Sequence, residues 1–244
     1  MTIFSKALTD LCAEPIDAVL FDLDGTLIDS VPDLAAAIDL MLQSIGNAPV
    51  GEVKVNRWVG NGAAALVKRA LADADNGDVL HQARFVDESD DDAYVSAYAI
   101  FETAYAQRLT QATGLYEGVL SVLADLNAAK IKLGLITNKP RRFTLPLLRA
   151  LNIHHYFEDV ICGDDLEHKK PHPLPVLTAL ENLSVKAGQV VMVGDSISDV
   201  KSATAAGVKT VAVTYGYNHG ISIRDASNEL QADVFIDQIQ QLLC

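Results

Sequence analysis

The sequence alternates short apolar runs, rich in β-branched residues, with longer stretches whose apolar residues recur at helical spacing. Strands give continuous apolar runs when helices cover both faces of a parallel sheet. The alternation therefore predicts an α/β fold, a Rossmann-like parallel sheet core with helices on both faces. The predicted strands are 18–21, 132–136, 159–162, 190–193, 210–213 and 233–236, and the predicted helices between them are 117–129, 141–151, 173–183 and 198–206.

One interval breaks this rhythm. Residues 32–109 carry apolar residues at helical spacing with almost no strand pattern, and the interval is too long for a single crossover helix. We interpret it as a helical domain inserted after the first strand, so that residues 1–31 and 110–244 form the core domain. The acidic run at 87–92 lacks the alternation of a calcium-binding loop and is interpreted as a solvated helix start.

Charge and cysteine usage exclude several classes of protein. The 244 residues carry a formal net charge of −13, whereas nucleic-acid and anionic-membrane binders need basic surface. No uninterrupted apolar run approaches membrane-spanning length. The three cysteines, Cys12, Cys162 and Cys244, are scattered and lack metal-site spacing, which favours a reducing compartment. We therefore expect a cytoplasmic protein that binds neither nucleic acid nor membrane. The segment before the first strand could be a disordered arm or a packing segment.

Polar residues follow four of the predicted strands. Since the carboxyl ends of parallel strands meet at one edge of the sheet, these residues should form one cluster of acids, hydroxyls and amines. Taken singly, each of these residues could belong to an ordinary turn, helix cap or solvated loop. Their predicted convergence on one edge of the sheet favours a catalytic site over these local interpretations. In chain order the residues are Asp22 and Asp24, Thr137 and Asn138, Lys170, and Asp195 with Ser196.

Such a cluster suits the hydrolysis of a phosphate ester. Asp22 is the candidate nucleophile, because a carboxylate can form an acyl phosphate and split one slow displacement into two easier steps. Asp24 is the candidate general acid and base. Attack of a carboxylate on an anionic phosphate meets repulsion of about 4 kcal/mol per charge pair at ~4 Å and an effective dielectric near 20, so a cation is needed. We predict a Mg²⁺ site formed by Asp22, Asp195 and the Asp24 carbonyl.

The remaining polar residues have supporting roles in this prediction. Thr137, Asn138 and Lys170 would bind the non-bridging phosphate oxygens, with Lys170 offsetting the charge that develops. Thr26, in the loop after Asp24, would add a further donor to substrate. Behind them, Ser196 would support the site, and Asp199, one helical turn beyond Asp195, would orient Lys170 or metal-bound water.

At this point the sequence resembles a known family. The segments Phe21 to Leu27, Thr137-Asn138-Lys139, Lys170-Pro171 and Gly194-Asp195-Ser196-x-x-Asp199 are similar to the four motifs of haloacid dehalogenase (HAD) superfamily phosphatases. The similarity runs from about residue 16 to the end of the chain. It implies a HAD-like core and a type 1 cap domain at residues 32–109, which closes over a small phosphorylated metabolite.

Finer features resemble the bacterial phosphoglycolate phosphatase subgroup, which implies 2-phosphoglycolate as substrate and glycolate and phosphate as products. They include Lys170-Pro171-His172-Pro173 and the cap segment Trp58 to Ala63. In that segment Gly60, Asn61 and Gly62 would let backbone amides and an amide side chain approach a small carboxylate closely. Arg57 could pair with the same carboxylate, although a connecting turn and a surface arginine are alternative interpretations.

Several alternatives stay open. The chain could be a phosphatase for another small metabolite, such as a sugar or amino-sugar phosphate, or a β-phosphoglucomutase-like phosphotransferase that returns the phosphoryl group to substrate. Two further hypotheses are disfavoured. The predicted phosphate-binding residues Thr137, Lys170 and Asp195, together with Asp24, argue against a metal-free dehalogenase. Asp24 as a general base argues against a signalling module in which Asp22 stays phosphorylated. A monomer and a homodimer are both compatible with the sequence.

Overall fold

The computed structural model describes residues 3–12, 14–76, 92–225 and 232–243. Within this part of the chain six strands form a parallel sheet, and two short strands pair as an antiparallel ribbon. The sheet strands are β1 (Ala18–Phe21), β4 (Lys132–Ile136), β5 (Asp159–Ile161), β6 (Val190–Gly194), β7 (Lys209–Val213) and β8 (Val234–Ile236), and the ribbon strands are β2 (Ile28–Asp29) and β3 (Gly114–Leu115). The order across the sheet is β5-β4-β1-β6-β7-β8.

Both faces of the sheet are covered, as the continuous apolar runs predicted. All residues of β1 and β6 are buried. Val19 and Phe21 pack into one hydrophobic cluster, and Ala18 and Leu20 pack into another on the opposite face. The helices of the core are α1 (Lys6–Leu11), α6 (Val119–Ala128), α7 (Arg141–Ala150), α8 (Leu174–Asn182) and α9 (Ile197–Ala205). The α/β prediction is therefore confirmed.

The strand register fixes where the polar residues after each strand lie. Phe21 at the end of β1 is paired with Leu135 of β4 and with Val193 of β6. One residue later, the Asp22 amide donates to the Val193 carbonyl at 2.9 Å, and the Thr137 amide donates to the Ile161 carbonyl at 2.9 Å. The ladder thus extends just past the strands and places both residues at the carboxyl edge of the sheet.

Four helices lie between β2 and β3, where the sequence predicts an insertion. They are α2 (Val31–Ser44), α3 (Gly51–Trp58), α4 (Ala63–Asn76) and α5 (Asp92–Ala106). They share a hydrophobic cluster that includes Ile38, Trp58 and Phe101, and Phe143 of α7 joins it. Trp58 packs within this cluster. The helical nature of the segment agrees with a cap, whereas the exact division at 32–109 stays a prediction. Residues 87–91 of the acidic run lie outside the described residues.

The segment before β1 packs on the core. Phe4 and Leu8 are buried in the same cluster as Ile239 and Leu242, and the Ser5 amide donates to the Leu242 carbonyl at 3.0 Å. Of the two possibilities left open by the sequence, the packing segment is the one observed. Among the helices of the described residues, none has both the length and the hydrophobicity required to cross a membrane.

Candidate active site

A cavity lies between the carboxyl edge of the sheet and the inserted helices. The core side contributes both aspartates that follow β1, together with residues of the loops after β4, β5 and β6. The inserted helices contribute a glycine-containing loop and an aromatic side chain. Core residues that line the cavity include Asp22, Asp24, Thr137, Asn138, Lys170 and Ser196. Residues that follow four different strands therefore share one cavity. Asp195 is not among the lining residues, but one of its carboxylate oxygens lies within 4.8 Å of an Asp22 carboxylate oxygen.

Lys170 connects the carboxylates beneath this cavity. Its ammonium lies 2.7 Å from Asp22 Oδ1 and 2.6 Å from Asp199 Oδ1, and it also donates to the Ile136 carbonyl at 2.6 Å. These three contacts use the full donor capacity of an ammonium group. The Lys170 side chain is only 2% exposed, so its position is set by the contacts and not by solvent. It is fixed directly beside the candidate nucleophile.

Asp195 is held by the loops around it. Its Oδ2 accepts a hydrogen bond from the Tyr217 amide at 2.7 Å, and its Oδ1 accepts one from Thr26 Oγ1 at 3.3 Å. Two glycines let the backbone approach this carboxylate: a Cβ on Gly25, whose φ is +87°, would lie 2.2 Å from Asp195 Oδ2, and a Cβ on Gly216 would lie 2.2 Å from Asp195 Cβ. No other residue type fits either position without displacing Asp195.

The buried acids form a group that fits a divalent cation. Asp22, Asp195 and Asp199 each offer a carboxylate oxygen, and these oxygens lie within 4.8 Å of one another. Both Asp199 oxygens already have donors, because Oδ1 binds Lys170 and Oδ2 accepts from the Ser196 amide at 3.0 Å and from Ser196 Oγ at 2.7 Å. Asp22 and Asp195 are thus the side chains best placed to hold a metal. Three carboxylates facing one ammonium leave excess negative charge, and hard oxygen donors suit such a cation.

The pKa shifts in this cluster arise first from burial and then from an excess of negative over positive charge. Burial raises the pKa of Asp22 well above its usual range; Lys170 opposes that rise, and Asp199 and Asp195 add to it. Burial and the Asp199 carboxylate raise the pKa of Asp195 to about 7. For Lys170, burial lowers the pKa, but Asp199 and Asp22 raise it more, so the net direction is upward.

The Asp24 side chain makes a different set of contacts from Asp22. Its Oδ1 accepts a hydrogen bond from Ser30 Oγ at 2.5 Å and lies 2.8 Å from Lys139 Nζ. Ser30 is itself fixed, because its amide donates to the Tyr217 hydroxyl at 2.7 Å. The carboxyl group of Asp24 therefore lines the cavity beside the nucleophile while staying outside the group of acids that could hold a metal.

The loop between α3 and α4 closes one side of the cavity. Gly60 and Gly62 line it, and Asn138 Nδ2 donates to the Gly60 carbonyl at 3.3 Å and to the Lys170 carbonyl at 3.0 Å. A Cβ on Gly62 would lie 2.9 Å from the Asn138 carbonyl oxygen. Glycine at this position allows the inserted helices to approach the core loop after β4.

Three residues predicted to bind substrate lie outside the residues that line this cavity. Thr26 is fully buried and donates to Asp195, because the turn after Asp24 folds back under the sheet edge. The side-chain oxygen of Asn61 accepts a hydrogen bond from Arg69 Nη2 at 2.6 Å, and the backbone carbonyl of Asn61 accepts one from Lys169 Nζ at 3.0 Å. Arg57, in the last turn of α3, packs its aliphatic stem against Gly220. None of these three residues lines the cavity, and their contact with substrate stays a prediction.

The cavity also contains residues to which the sequence analysis assigned no role. Lys139 and Tyr105 both line it. Lys139 directly follows Thr137 and Asn138, which were predicted to bind phosphate. Its position in the chain therefore indicated that it lies near the site, although not which groups it contacts. Tyr105 is one of several aromatic residues at helical spacing along α5, and that pattern by itself indicates only packing. Ser30, whose hydroxyl donates to Asp24, directly precedes α2. From the sequence alone, a serine at this position indicates only a helix cap.

Comparison with known proteins identifies the family. A family model described as haloacid dehalogenase-like hydrolase matches residues 19–213, which include nearly all of β1, strands β4 to β7, the inserted helices and the residues that line the cavity. The chain belongs to the haloacid dehalogenase-like hydrolases. In this hydrolase the matched region contains all four of the predicted strand-end motifs, from Asp22 to Asp199.

Individual relatives agree with this assignment over nearly the whole hydrolase. A phosphoglycolate phosphatase of Nitrosococcus oceani is 44% identical over 227 residues, which cover 93% of this chain and 96% of the relative. A phosphoglycolate phosphatase of Escherichia coli O157:H7 is 42% identical over 236 residues, covering 94% and 92%. The crystal structure of a predicted phosphoglycolate phosphatase from Haemophilus somnus superposes with a TM-score of 0.82 at 33% identity, covering 93% and 96%.

Proposed function

We propose that this hydrolase is a Mg²⁺-dependent phosphatase that converts 2-phosphoglycolate to glycolate and phosphate through an aspartyl phosphate on Asp22. Relatives named phosphoglycolate phosphatase, 42% and 44% identical over most of the chain, support the substrate. The observation that carries the reaction type is the contact of 2.7 Å between Asp22 Oδ1 and the buried Lys170 ammonium, at the base of a cavity that Asp24 also lines.

In the first step an Asp22 carboxylate oxygen attacks phosphorus, and the bond from phosphorus to the ester oxygen breaks. Asp24 gives its proton to that leaving oxygen, so glycolate departs as an alcohol. Ser30 and Lys139 hold the Asp24 carboxyl group in the cavity for this task. The phosphoryl group is then bonded to Asp22.

In the second step a water molecule attacks the phosphorus of the acyl phosphate. Asp24, now ionised, takes a proton from this water, and the bond from phosphorus to the Asp22 oxygen breaks. Phosphate leaves, Asp22 is regenerated as a carboxylate and Asp24 as the acid. One residue thus serves as acid and then base, which closes the proton balance over one turnover.

Charge on the transferring group is offset by residues at the base of the cavity. Lys170 supplies an ammonium and Thr137 a hydroxyl donor to the non-bridging oxygens. Both hydrogens of the Asn138 side-chain amide bind the Gly60 and Lys170 carbonyls, so Asn138 would contribute its backbone amide. Asp22 and Asp195 would hold Mg²⁺, with the Asp24 carbonyl as a further ligand. The ion supplies electrostatic stabilisation of the phosphoryl oxygens and of the Asp22 carboxylate during attack.

A phosphate-release assay over a panel of metabolites, run with Mg²⁺ and with EDTA, tests this function. The proposal expects 2-phosphoglycolate to be hydrolysed at least about 100-fold faster, in kcat/KM, than sugar phosphates. Similar values across the panel would assign the chain to a broader small-metabolite phosphatase. Assays in ¹⁸O-labelled water separate the phosphotransferase alternative, because hydrolysis places one labelled oxygen in the product phosphate and transfer to a second substrate places none.

A further inference from the structure

Lys139 is a second buried cation in the cavity. It follows Asn138 in the loop after β4, and its side chain is only 5% exposed. Among the residues that line the cavity the basic ones are Lys139 and Lys170. Lys170 is committed to Asp22, Asp199 and a backbone carbonyl. The carboxylate that Lys139 contacts is Asp24, at 2.8 Å. Burial lowers the pKa of Lys139, but Asp24 and Tyr105 raise it more, so the side chain is a charged ammonium in the cavity.

The Tyr105 hydroxyl is a second polar group beside this lysine. Tyr105 is 1% exposed, and the Lys139 ammonium lies 4.9 Å from the centre of its ring. Packing fixes the ring, since Phe101 stacks on it at 5.6 Å and Phe143 meets it edge-on at 5.0 Å. Within the described residues its hydroxyl has no partner at hydrogen-bond geometry. A buried hydroxyl normally makes a well-formed hydrogen bond, so one that lacks it on a residue lining the cavity indicates a ligand group.

Both groups are donors suited to an anion. Burial raises the pKa of Tyr105 to about 12, even though Lys139 opposes the rise, so the phenol stays neutral and can donate. The ammonium supplies further donors and a full positive charge. Lys139 comes from the core and Tyr105 from inserted helix α5. An anion bound between them would therefore contact both parts of the protein.

The chemistry of the substrate gives this subsite its occupant. In 2-phosphoglycolate a single methylene separates the bridging ester oxygen from the carboxyl carbon. If Asp24 protonates the bridging oxygen, the substrate carboxylate lies one methylene further on, within reach of a side chain that is itself in contact with Asp24. We propose that Lys139 and Tyr105 form the subsite that binds the carboxylate of the phosphorylated acid and selects it over neutral esters. This inference rests on the proposed function.

Paired substrates test the subsite. Lys139→Met and Tyr105→Phe are assayed on 2-phosphoglycolate and on its neutral carboxamide, 2-phosphoglycolamide, and the readout is the ratio of kcat/KM for acid over amide. We expect Lys139→Met to lower this ratio by about 100-fold and Tyr105→Phe by about 5-fold, because the lost contacts involve a charged group. Lys139→Arg, which keeps the charge, should retain more of the ratio than Lys139→Met. Lys132→Met is the matched control, since Lys132 lies at the far end of β4 with its ammonium on the Leu183 carbonyl at 2.6 Å, and it should leave the ratio unchanged.

The outcomes separate the two proposals. A wild-type enzyme that prefers the acid, with Lys139→Met and Tyr105→Phe slowing acid and amide equally, overturns the subsite alone, because both residues would then act only on Asp24 or on packing. A wild-type enzyme with equal activity on acid and amide overturns the proposed substrate and the subsite together. Tyr105→Phe removes a single hydroxyl and keeps the packed ring, so it should fold normally and decides the question even if Lys139→Met is unstable.

Discussion

Asp199 and Lys170 form a buried ion pair in which Oδ1 lies 2.6 Å from Nζ and both side chains are 2% exposed. Asp199 is in turn fixed by the Ser196 amide and hydroxyl, which both donate to its other oxygen. The pair aims the ammonium at Asp22, 2.7 Å away. A residue that never reaches the cavity thereby sets the position of the cation beside the nucleophile.

Asp199→Asn should lower kcat by about 10- to 100-fold, because the neutral amide no longer holds Lys170 in place. KM should change less than kcat, since Thr137 and Asn138 stay in place to bind the phosphate oxygens. The measurement is steady-state kinetics at saturating Mg²⁺. Asp125→Asn, on the exposed face of α6, is the matched control and should behave like the wild type. An Asp199→Asn enzyme with wild-type kcat would show that the ion pair is not needed for catalysis.

Asp22→Asn should abolish turnover, lowering kcat by at least about 10⁴-fold, because an amide cannot accept the phosphoryl group. The same change removes one of three carboxylates that face a single ammonium. Without metal, the free energy of unfolding should therefore rise by about 1 kcal/mol. Urea titration in EDTA measures it, with kinetics run in parallel. Lower stability would mean that Lys170 already balances the buried charge.

Gly216→Ala should disturb the metal site, because the new Cβ would lie 2.2 Å from Asp195 Cβ. We expect Mg²⁺ affinity to fall by about 10-fold or more and stability to fall by about 1 to 3 kcal/mol. Gly188→Ala is the control, since a Cβ at Gly188 meets nothing within 4 Å. Calorimetric titration with Mg²⁺ decides the matter. Equal affinities in the two variants would contradict the packing argument at Asp195.

Removing the metal should stop the reaction and lower thermal stability. Mg²⁺ at 100 times its Kd adds about 2.7 kcal/mol, which corresponds to a rise in Tm of roughly 5 to 10 °C for a chain of this size. Asp195→Asn should lose most of this rise, because it removes one of the two acids best placed as ligands. Differential scanning fluorimetry at constant ionic strength measures it. Full activity in EDTA would refute the metal requirement.

Most of the fold follows from local patterns in the sequence. The strand β1 was predicted with its observed bounds, and α7 differs from its prediction by one residue, because burial on both faces produces an unambiguous apolar run. The insertion was recognisable because residues 32–109 hold helical periodicity and almost no strand pattern. The segment before β1 was ambiguous, since its packing depends on Ile239 and Leu242 at the other end of the chain.

The site was predictable where residues sit one or two positions after a strand, because the sheet register alone brings Asp22, Thr137 and Asp195 to one edge. It was not predictable where a side chain's direction depends on packing between the inserted helices and the core. Asn61 turns to Arg69 on α4, and this contact cannot be seen in a Gly-Asn-Gly pattern. Lys139 carries no local indication that its ammonium reaches Asp24 and Tyr105.

In the proposed mechanism Asp22 carries the phosphoryl group and Asp24 is needed to release it. The most direct measurement mixes Asp24→Asn enzyme with Mg²⁺ and ³²P-labelled acetyl phosphate, a donor whose leaving group needs no proton, and maps the label after an acid quench and proteolysis. We expect label on the peptide that contains Asp22, labile to hydroxylamine, and no label in the Asp22→Asn, Asp24→Asn double variant. Label on a peptide without Asp22, or label retained in the double variant, would contradict this mechanism.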